Sequence, residues 1–515
     1  MRASTNRRLG DVTRAEAWLT RIEDPAFRAR NRLEAAYARA FVAASASTSD
    51  TVDQLGRTID LFTREAYAPR LPALLTIRAQ AHDSRGMPTS ARQDLHRAAV
   101  VLEQQRSHLL ARDFRMLQSD DLRNVRLLEA EIAFRTGDID GATRLADGAR
   151  ARTIAEDLSK RLGAVAPDSS AAMQPVDGTT TLILTASDHP FGIVIGAAGV
   201  QAFSLPCSLG TIAAQVRALR RLVRLEAGDP LLVRVLGEAY SCLIAPAERL
   251  LATPVLTIVP DGILGELPFG ALHDGRSFLC EKFEVRLAPS AAWTHGGSGV
   301  EPDAVTVSVF ADPAFDRKRY PGVPALPEAR REALDVARQY ASSELFVGQE
   351  ATQSAFLARL RRPGVVHFAG HALSDGVSPL SMMLLTAAAP DDDPGVSGYE
   401  VMDVRDVRAD LVVLAACTTA TPSRGGEGIT ATARPFLAVG VPAVVASIWM
   451  VGDQATRDLM VEFHRRLSQG VPPARSLRES QRLMIARGQP IRRWAAFVAF
   501  DRTVPSTTGA AGAFE

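Results

Sequence analysis

Residues 411–420 read LVVLAACTTA. Four apolar residues and two alanines lead straight into Cys417, and then the chain turns polar. A short, unbroken apolar run of this kind is the signature of a strand covered on both faces. A cysteine inside the run would be core packing. One just past it stands at the carboxyl end of the strand. A second run has the same form: residues 365–371, VVHFAGH, end at His371. Both runs pass into loops of small and polar residues, ALSDG at 372–376 and TTATPSRGGEG at 418–428.

In an open α/β sheet, ligands collect beyond the carboxyl ends of the strands. If these two strands are neighbours, an imidazole and a thiol emerge side by side there. A thiol is a weak nucleophile until deprotonated, and a nearby histidine can take its proton or stabilise the thiolate. His371 and Cys417 are therefore the candidate catalytic dyad for acyl transfer. The plain alternative is a packing histidine and a structural cysteine; the matched placement of the two favours chemistry. His367 and His371 are four apart, which on a helix would make a metal pair. Val365, Val366, Phe368 and the preceding Pro363-Gly364 favour a strand instead, with His367 turned into the packing. No metal and no cofactor are expected. The glycine-rich SRGGEG, residues 423–428, lacks the lysine and spacing of a phosphate-binding loop. It reads as a mobile substrate-binding or cleavable loop.

The chain around these motifs is 515 residues long, 46% hydrophobic and 23% charged, with a formal net charge of +1. This is a globular composition, and the balanced charge argues against a direct nucleic-acid partner. No apolar stretch approaches the length of a spanning helix, so no membrane partner is expected. The N-terminus is basic but has no apolar signal core. The cysteines are Cys207, Cys242, Cys280 and Cys417, with no CxxC pair. Neither a zinc ribbon nor a disulfide framework is expected, and a cytoplasmic location fits. Arginine far outnumbers lysine, a compositional hint of a GC-rich bacterial genome.

Residues 1–165 read as helix throughout. Gly10, Gly86 and Gly137 each precede an alanine by five residues: Ala15, Ala91 and Ala142. In the last two cases a second alanine follows seven residues on, Ala98 and Ala149. Glycine permits the turn of a helix hairpin, and small residues let the second helix pack closely. This spacing resembles the tetratricopeptide repeat, degenerate or with long helices, because the glycines are 76 and 51 residues apart. A polar linker, 166–179, follows.

From residue 180 the period changes. TTTLILTASDHPFGIVIG reads as two strands around a turn at 188–190, and a helical stretch follows at about 209–251 with a break near Gly228-Asp229-Pro230. Strands VLTIVP, FEVRLAP, VTVSVFADP, GVVHFAGHA, MMLLT, DLVVLAAC and AVVASIWM then alternate with helices at about 328–340, 352–361, 427–439, 453–469 and 472–487. Pro435 should kink or shorten the third of these. The alternation predicts an open α/β sheet with flanking helices, preceded by an all-α repeat domain. Residues 504–515 read as a disordered tail.

HFAGHA, DLVVLAACTTA, GEGITATARPFLAVGVPAVVASIWMVGDQAT and WAAFVAF together resemble the CHAT domain, the caspase-like clan CD cysteine peptidase module found with tetratricopeptide repeats. EAYSCLIAPAERLL, LTIVPDGILGELPFGALHDG, FLCEKFEVRLAPSAA, ALPEARREA and GQEAT agree, in the same order. The resemblance covers roughly residues 180–503, with 180–300 as the N-terminal half and 301–503 as the catalytic half. It implies a cysteine endopeptidase acting on a protein substrate, with His371 as base and Cys417 as nucleophile. It implies an oxyanion hole from the backbone N–H groups of Ala372 and Cys417. Asp453 matches the position that floors the pocket for an arginine in separase-like enzymes, with capping of the helix that follows as the other reading, and Trp449 lines that pocket or packs in the core. It further implies a regulatory protein partner on the repeats and regulated cleavage of the kind used in bacterial defence. The rival reading is a catalytically silent scaffold. Ala372 stands where relatives commonly have glycine, and Thr418 where an acidic or amide residue is frequent.

Overall fold

The computed structural model describes residues 32–46, 50–108, 112–148, 173–295, 306–373, 380, 383–387, 395–418 and 428–502. The first turn motif (Gly10, Ala15), Ala149, residues 166–172 of the expected linker, loop residues 423–427 and the expected tail lie outside them. The chain divides into two compact units, residues 1–149 and 150–515.

The first unit is helical: Arg32–Ala46, Thr51–Arg64, Leu71–Ser84, Pro88–Ser107, Arg112–Arg135 and Ile139–Gly148. Consecutive helices pack on one another. Gly86 and Gly137 adopt left-handed φ values of 71° and 82° at the two turns marked by the glycine–alanine spacing, a conformation that a side chain disfavours. Ala91, Ala98 and Ala142 are fully buried, so the second helix of each hairpin seats through them. The wide interval between the glycines has a simple cause. Two long helices, of 20 and 24 residues, lie between them. A bidentate pair crosses one hairpin, with Arg78 Nε and Nη2 donating to the buried Asp94 carboxylate at 2.8 and 2.6 Å.

The second unit carries strands β1 (Thr179–Leu184), β2 (Phe191–Gly196), β3 (Gly199–Ser204), β4 (Val255–Pro260), β5 (Glu284–Leu287), β6 (Thr306–Ala311), β7 (Ser342–Val347), β8 (Val365–Ala369), β9 (His371–Leu373), β10 (Met383–Leu385), β11 (Gly395–Ser397), β12 (Leu411–Leu414), β13 (Cys417–Thr418), β14 (Ala443–Ser447) and β15 (Phe497–Asp501). Among the described residues they form an 11-stranded sheet, ordered β3-β2-β1-β4-β5-β15-β14-β12-β8-β6-β7, and a 4-stranded sheet, β11-β10-β9-β13. Pairing between β1 and β4, β4 and β5, and among β14, β12, β8, β6 and β7 is parallel. β15 stands in the middle, antiparallel to β14 and parallel to β5 through Phe500 opposite Leu287.

β8, β12 and β14 are buried at every residue, as parallel strands covered on both faces must be. On one face Phe368 meets Phe356 of helix Gln353–Arg359, which in turn meets Phe436 of helix Gly428–Ala438. Alternation along the strand sends His367 to the other face, where helices Ala329–Ala337 and Asp453–Leu467 lie. His367 is thus in the packing, fully buried.

The break near Gly228 separates helices Leu209–Arg224 and Asp229–Leu243, with Pro230 in the first turn of the second, where its missing N–H costs nothing. Helix Gly428–Ala438 runs on through Pro435. One expectation is corrected: Cys207 and Cys242 form a disulfide, with Cα atoms 5.8 Å apart. The second helix of the hairpin folds back on the segment before the first, so a pair 35 residues apart in the chain meets in space. No helix among the described residues is long and apolar enough to cross a membrane.

Candidate active site

The two strands read first in the sequence are neighbours. β8 and β12 pair in parallel, with Val365 opposite Leu411 and Phe368 opposite Leu414. An Asp410–Gly364 contact pins the start of this ladder: the Gly364 N–H donates to Asp410 Oδ2 at 2.7 Å, and the Asp410 N–H to the Gly364 carbonyl at 2.9 Å. Gly364 holds φ 116°, and a Cβ there would sit 2.4 Å from the Thr306 carbonyl oxygen, so only glycine fits.

Beyond Ala369 and Leu414 both chains leave the large sheet and pair again as β9 and β13. There Cys417 stands opposite His371, and Thr418 opposite Ala372. The offset between partners is the same before and after the crossing, so the register is unbroken. Ala415 and Ala416 match Ala369 and Gly370 across the step, and small residues suit a chain changing sheets.

His371 is 5% exposed. Its Nε2 lies 2.9 Å from the Pro324 carbonyl. A carbonyl only accepts, so Nε2 is the protonated nitrogen, and Nδ1 of the neutral ring is left as a base. The Phe315 ring and the imidazole make a T-shaped contact at 5.9 Å, and the Arg317 guanidinium lies over the Phe315 ring at 5.1 Å. Burial pushes the His371 imidazole below its ordinary pKa. The Arg317 charge pushes the same way, while the Pro324 carbonyl pulls back. The net effect keeps the ring neutral and able to accept a proton near pH 7. The loop that supplies Phe315, Arg317 and Pro324 leaves β6 through Asp312, whose φ is 44° and whose N–H donates to the Ala369 carbonyl at 3.2 Å.

Ala372 is fully buried between β10 and β13. Asp453 is the first residue of helix Asp453–Leu467, with Gly452 at the cap position, so the cap is one residue earlier than the sequence suggested. The side chains of Cys417 and Asp453 lie outside the description. Trp449 is half-buried, and its Nε1–H donates to the Arg492 carbonyl at 3.0 Å. Arg492 is held in turn by Glu226, and the neighbouring Ile491 N–H by Asp229. Of the other cysteines, Cys280 is buried among apolar groups, which push its thiol up to about 12 and leave it unreactive.

Sequence reasoning missed the loop residues around His371. Pro324 acts through its backbone carbonyl, which no side-chain pattern reports. Among the described residues, no group of three or more His, Cys, Asp or Glu is placed to hold a metal ion.

Comparison with known proteins agrees with this architecture. Tetratricopeptide repeat protein 28 of Homo sapiens is 24% identical over 48% of this chain and 12% of its own length. Its Mus musculus counterpart is also 24% identical, with the same coverage. The chain therefore spans only a small part of the relatives it matches. In a crystal structure of the Saccharomyces cerevisiae separase–securin complex, one chain superposes with a TM-score of 0.56 at 10% identity, over 92% of this chain and 43% of that one. At that identity the likeness is one of fold: a helical region followed by a caspase-like sheet. The family model of the CHAT domain matches residues 233–502. That span takes in β4 to β15 and both strand ends from which His371 and Cys417 emerge, and the chain belongs to the CHAT domain family.

Proposed function

We propose that the protein is a cysteine endopeptidase whose nucleophile is Cys417 and whose base is His371. The single observation that carries this reading is the unbroken register that sets Cys417 opposite His371. The Pro324 hydrogen bond supports it, because it leaves Nδ1 unprotonated. In the proposed reaction His371 Nδ1 takes the thiol proton, and the sulfur attacks the scissile carbonyl carbon. The C–N bond breaks as the imidazolium returns the proton to the leaving amine. Water, activated by the same imidazole, then hydrolyses the thioester. The backbone N–H groups of Cys417 and Ala372 are the proposed donors to the oxyanion. Asp453 is the proposed floor of a pocket for a basic side chain, beside Trp449.

The helical unit is the proposed docking site of a protein regulator, as separase has securin in the crystal of that complex. A silent scaffold is the second reading, and the near-complete burial of His371 favours it. One experiment separates them. Candidate protein substrates are incubated with wild type and with Cys417→Ala, and new N-termini are mapped by mass spectrometry. Cleavage by wild type alone supports the peptidase. No cleavage by either, with partner binding retained by both, supports the scaffold.

A further inference from the structure

Four buried polar side chains beyond the Cys–His pair form one chain of hydrogen bonds. Glu332 Oε1 lies 2.9 Å from His367 Nε2, His367 Nδ1 lies 3.0 Å from His464 Nε2, and His464 Nδ1 lies 2.7 Å from the Tyr340 hydroxyl. Glu332 comes from helix Ala329–Ala337 and Tyr340 from the turn after it; His367 comes from β8 and His464 from helix Asp453–Leu467. Glu332, His367 and His464 are at most 1% exposed. Polar groups so deep are costly unless each is satisfied, and apolar side chains could fill the same space. The donor order follows from one end. With Glu332 as carboxylate, His367 Nε2 donates to it. The His367 Nδ1 then accepts from His464 Nε2–H, and His464 Nδ1 accepts from the Tyr340 O–H. Burial drives His464 well below the ordinary histidine range and drives the Tyr340 hydroxyl above its own, so both stay neutral. Both effects keep the protons where this order needs them.

The chain's position gives it a use. The segment 324–332 and the segment 367–371 are joined twice. At one end Glu332 accepts from His367, and at the other the Pro324 carbonyl accepts from His371. We propose that Glu332, His367, His464 and Tyr340 form a positioning relay for His371. The relay fixes the two segments in the offset that brings the Pro324 carbonyl to Nε2, and so it selects the tautomer in which Nδ1 is the base. This rests on the peptidase reading above. Arg457 of helix Asp453–Leu467 pairs with Asp335 of helix Ala329–Ala337 and with Glu328 at its cap, which ties the two helices together. Misplacing a catalytic group by about 1 Å can cost about 100-fold in rate, so a rung of this kind has leverage.

The test uses the full chain and needs no substrate. Alkylation of Cys417 by iodoacetamide is followed against pH by peptide mass mapping, which separates it from Cys280. Wild type should react at pH 6.5 well above the rate of an ordinary thiol, and His371→Ala should remove that advantage. His464→Leu should lower the rate at pH 6.5 by about ten-fold or more, while the rate well above pH 9, where any thiol is ionised, stays near wild type. His464→Gln restores an N–H donor to His367 Nδ1 and should recover much of the loss. Tyr340→Phe removes one hydroxyl, should act in the same direction more weakly, and serves if His464→Leu does not fold. Folded His464→Leu and Tyr340→Phe proteins with wild-type profiles, alongside an effect of His371→Ala, would overturn the relay and leave the dyad. An unreactive wild-type Cys417, or no effect of His371→Ala, would overturn the dyad and the relay with it.

Discussion

Cys417 is the ladder partner of His371, and the same offset between partners runs back through β8 and β12 to Val365 and Leu411. The placement of Cys417 opposite His371 is therefore a property of the sheet rather than of two independent loops. A change that slips one strand of this ladder by one residue would send one of the two residues to the face opposite the other.

Cys417→Ala should abolish hydrolysis of any cleaved protein, and His371→Ala should lower kcat/KM by at least about 10⁴-fold, as loss of one member of a catalytic unit does. Both should melt within a few degrees of wild type. Turnover numbers on one mapped substrate, beside circular-dichroism melts, check this. Substantial activity in either variant would remove that residue from the mechanism.

The pH profile has a definite sign. Burial and Arg317 both lower the His371 pKa, so the acid limb of kcat/KM should lie below the ordinary histidine value of about 6.5. Arg317→Glu replaces a charge that opposes the imidazolium with one that favours it. The limb should move to higher pH, so that activity is lost earlier on acidification. An unmoved or down-shifted limb would mean that Arg317 does not act on His371.

Specificity should follow Asp453. A peptide library should show arginine or lysine before the cut, because a pocket carboxylate selects a cation by charge-assisted hydrogen bonds. Asp453→Ala should erase that preference while peptides with small apolar residues are still cleaved slowly. A wild-type preference for leucine would remove Asp453 from the pocket and leave the dyad in place.

The disulfide is open to a thiol count. Protein denatured without reductant should present two thiols, Cys280 and Cys417, and four after reduction. Closing a loop of this length is worth about 3–4 kcal/mol in the chain-entropy account, so reductant should lower the urea midpoint. The same count on protein taken directly from cells tests the cytoplasmic location. Four free thiols fit a reducing compartment, and two fit an oxidising one.

Gly364→Ala should be costly although it adds one carbon. The new Cβ would press on the Thr306 carbonyl at a φ that side chains avoid. A loss of about 1–3 kcal/mol is expected from such strain, read as a lower denaturant midpoint with unchanged slope. A midpoint equal to that of wild type would mean that β8 begins in another geometry.

Much of this was legible because burial writes plainly. β8, β12 and β14 are covered on both faces, so they had to be apolar runs, and the runs ended at His371 and Cys417. The glycine and alanine positions of the helical hairpins were equally plain, because Gly86 and Gly137 need a left-handed φ and Ala91, Ala98 and Ala142 need to be small. β3 and β7 were not read as strands. They are the outer strands of the sheet, half-covered, and GVQAFS and SSELFV carry the mixed polarity of an edge. Cys207 and Cys242 were missed because pairing depends on how a helix hairpin folds back, which spacing does not encode. His464 was not singled out, because it stands beside Arg465 and Arg466 near the end of a helix and only the packing of that helix on β8 turns it inward.

The central seat of β15 has a bearing on how the chain is made. Every other strand of the large sheet precedes it in synthesis, so the nascent polypeptide holds two half-sheets whose facing borders, β5 and β14, wait for a filler. Unfilled borders of this sort template association between molecules. Any truncation before Phe497 should therefore yield not a smaller folded unit but a sticky pair of halves, and a translating ribosome exposes the same hazard briefly each time.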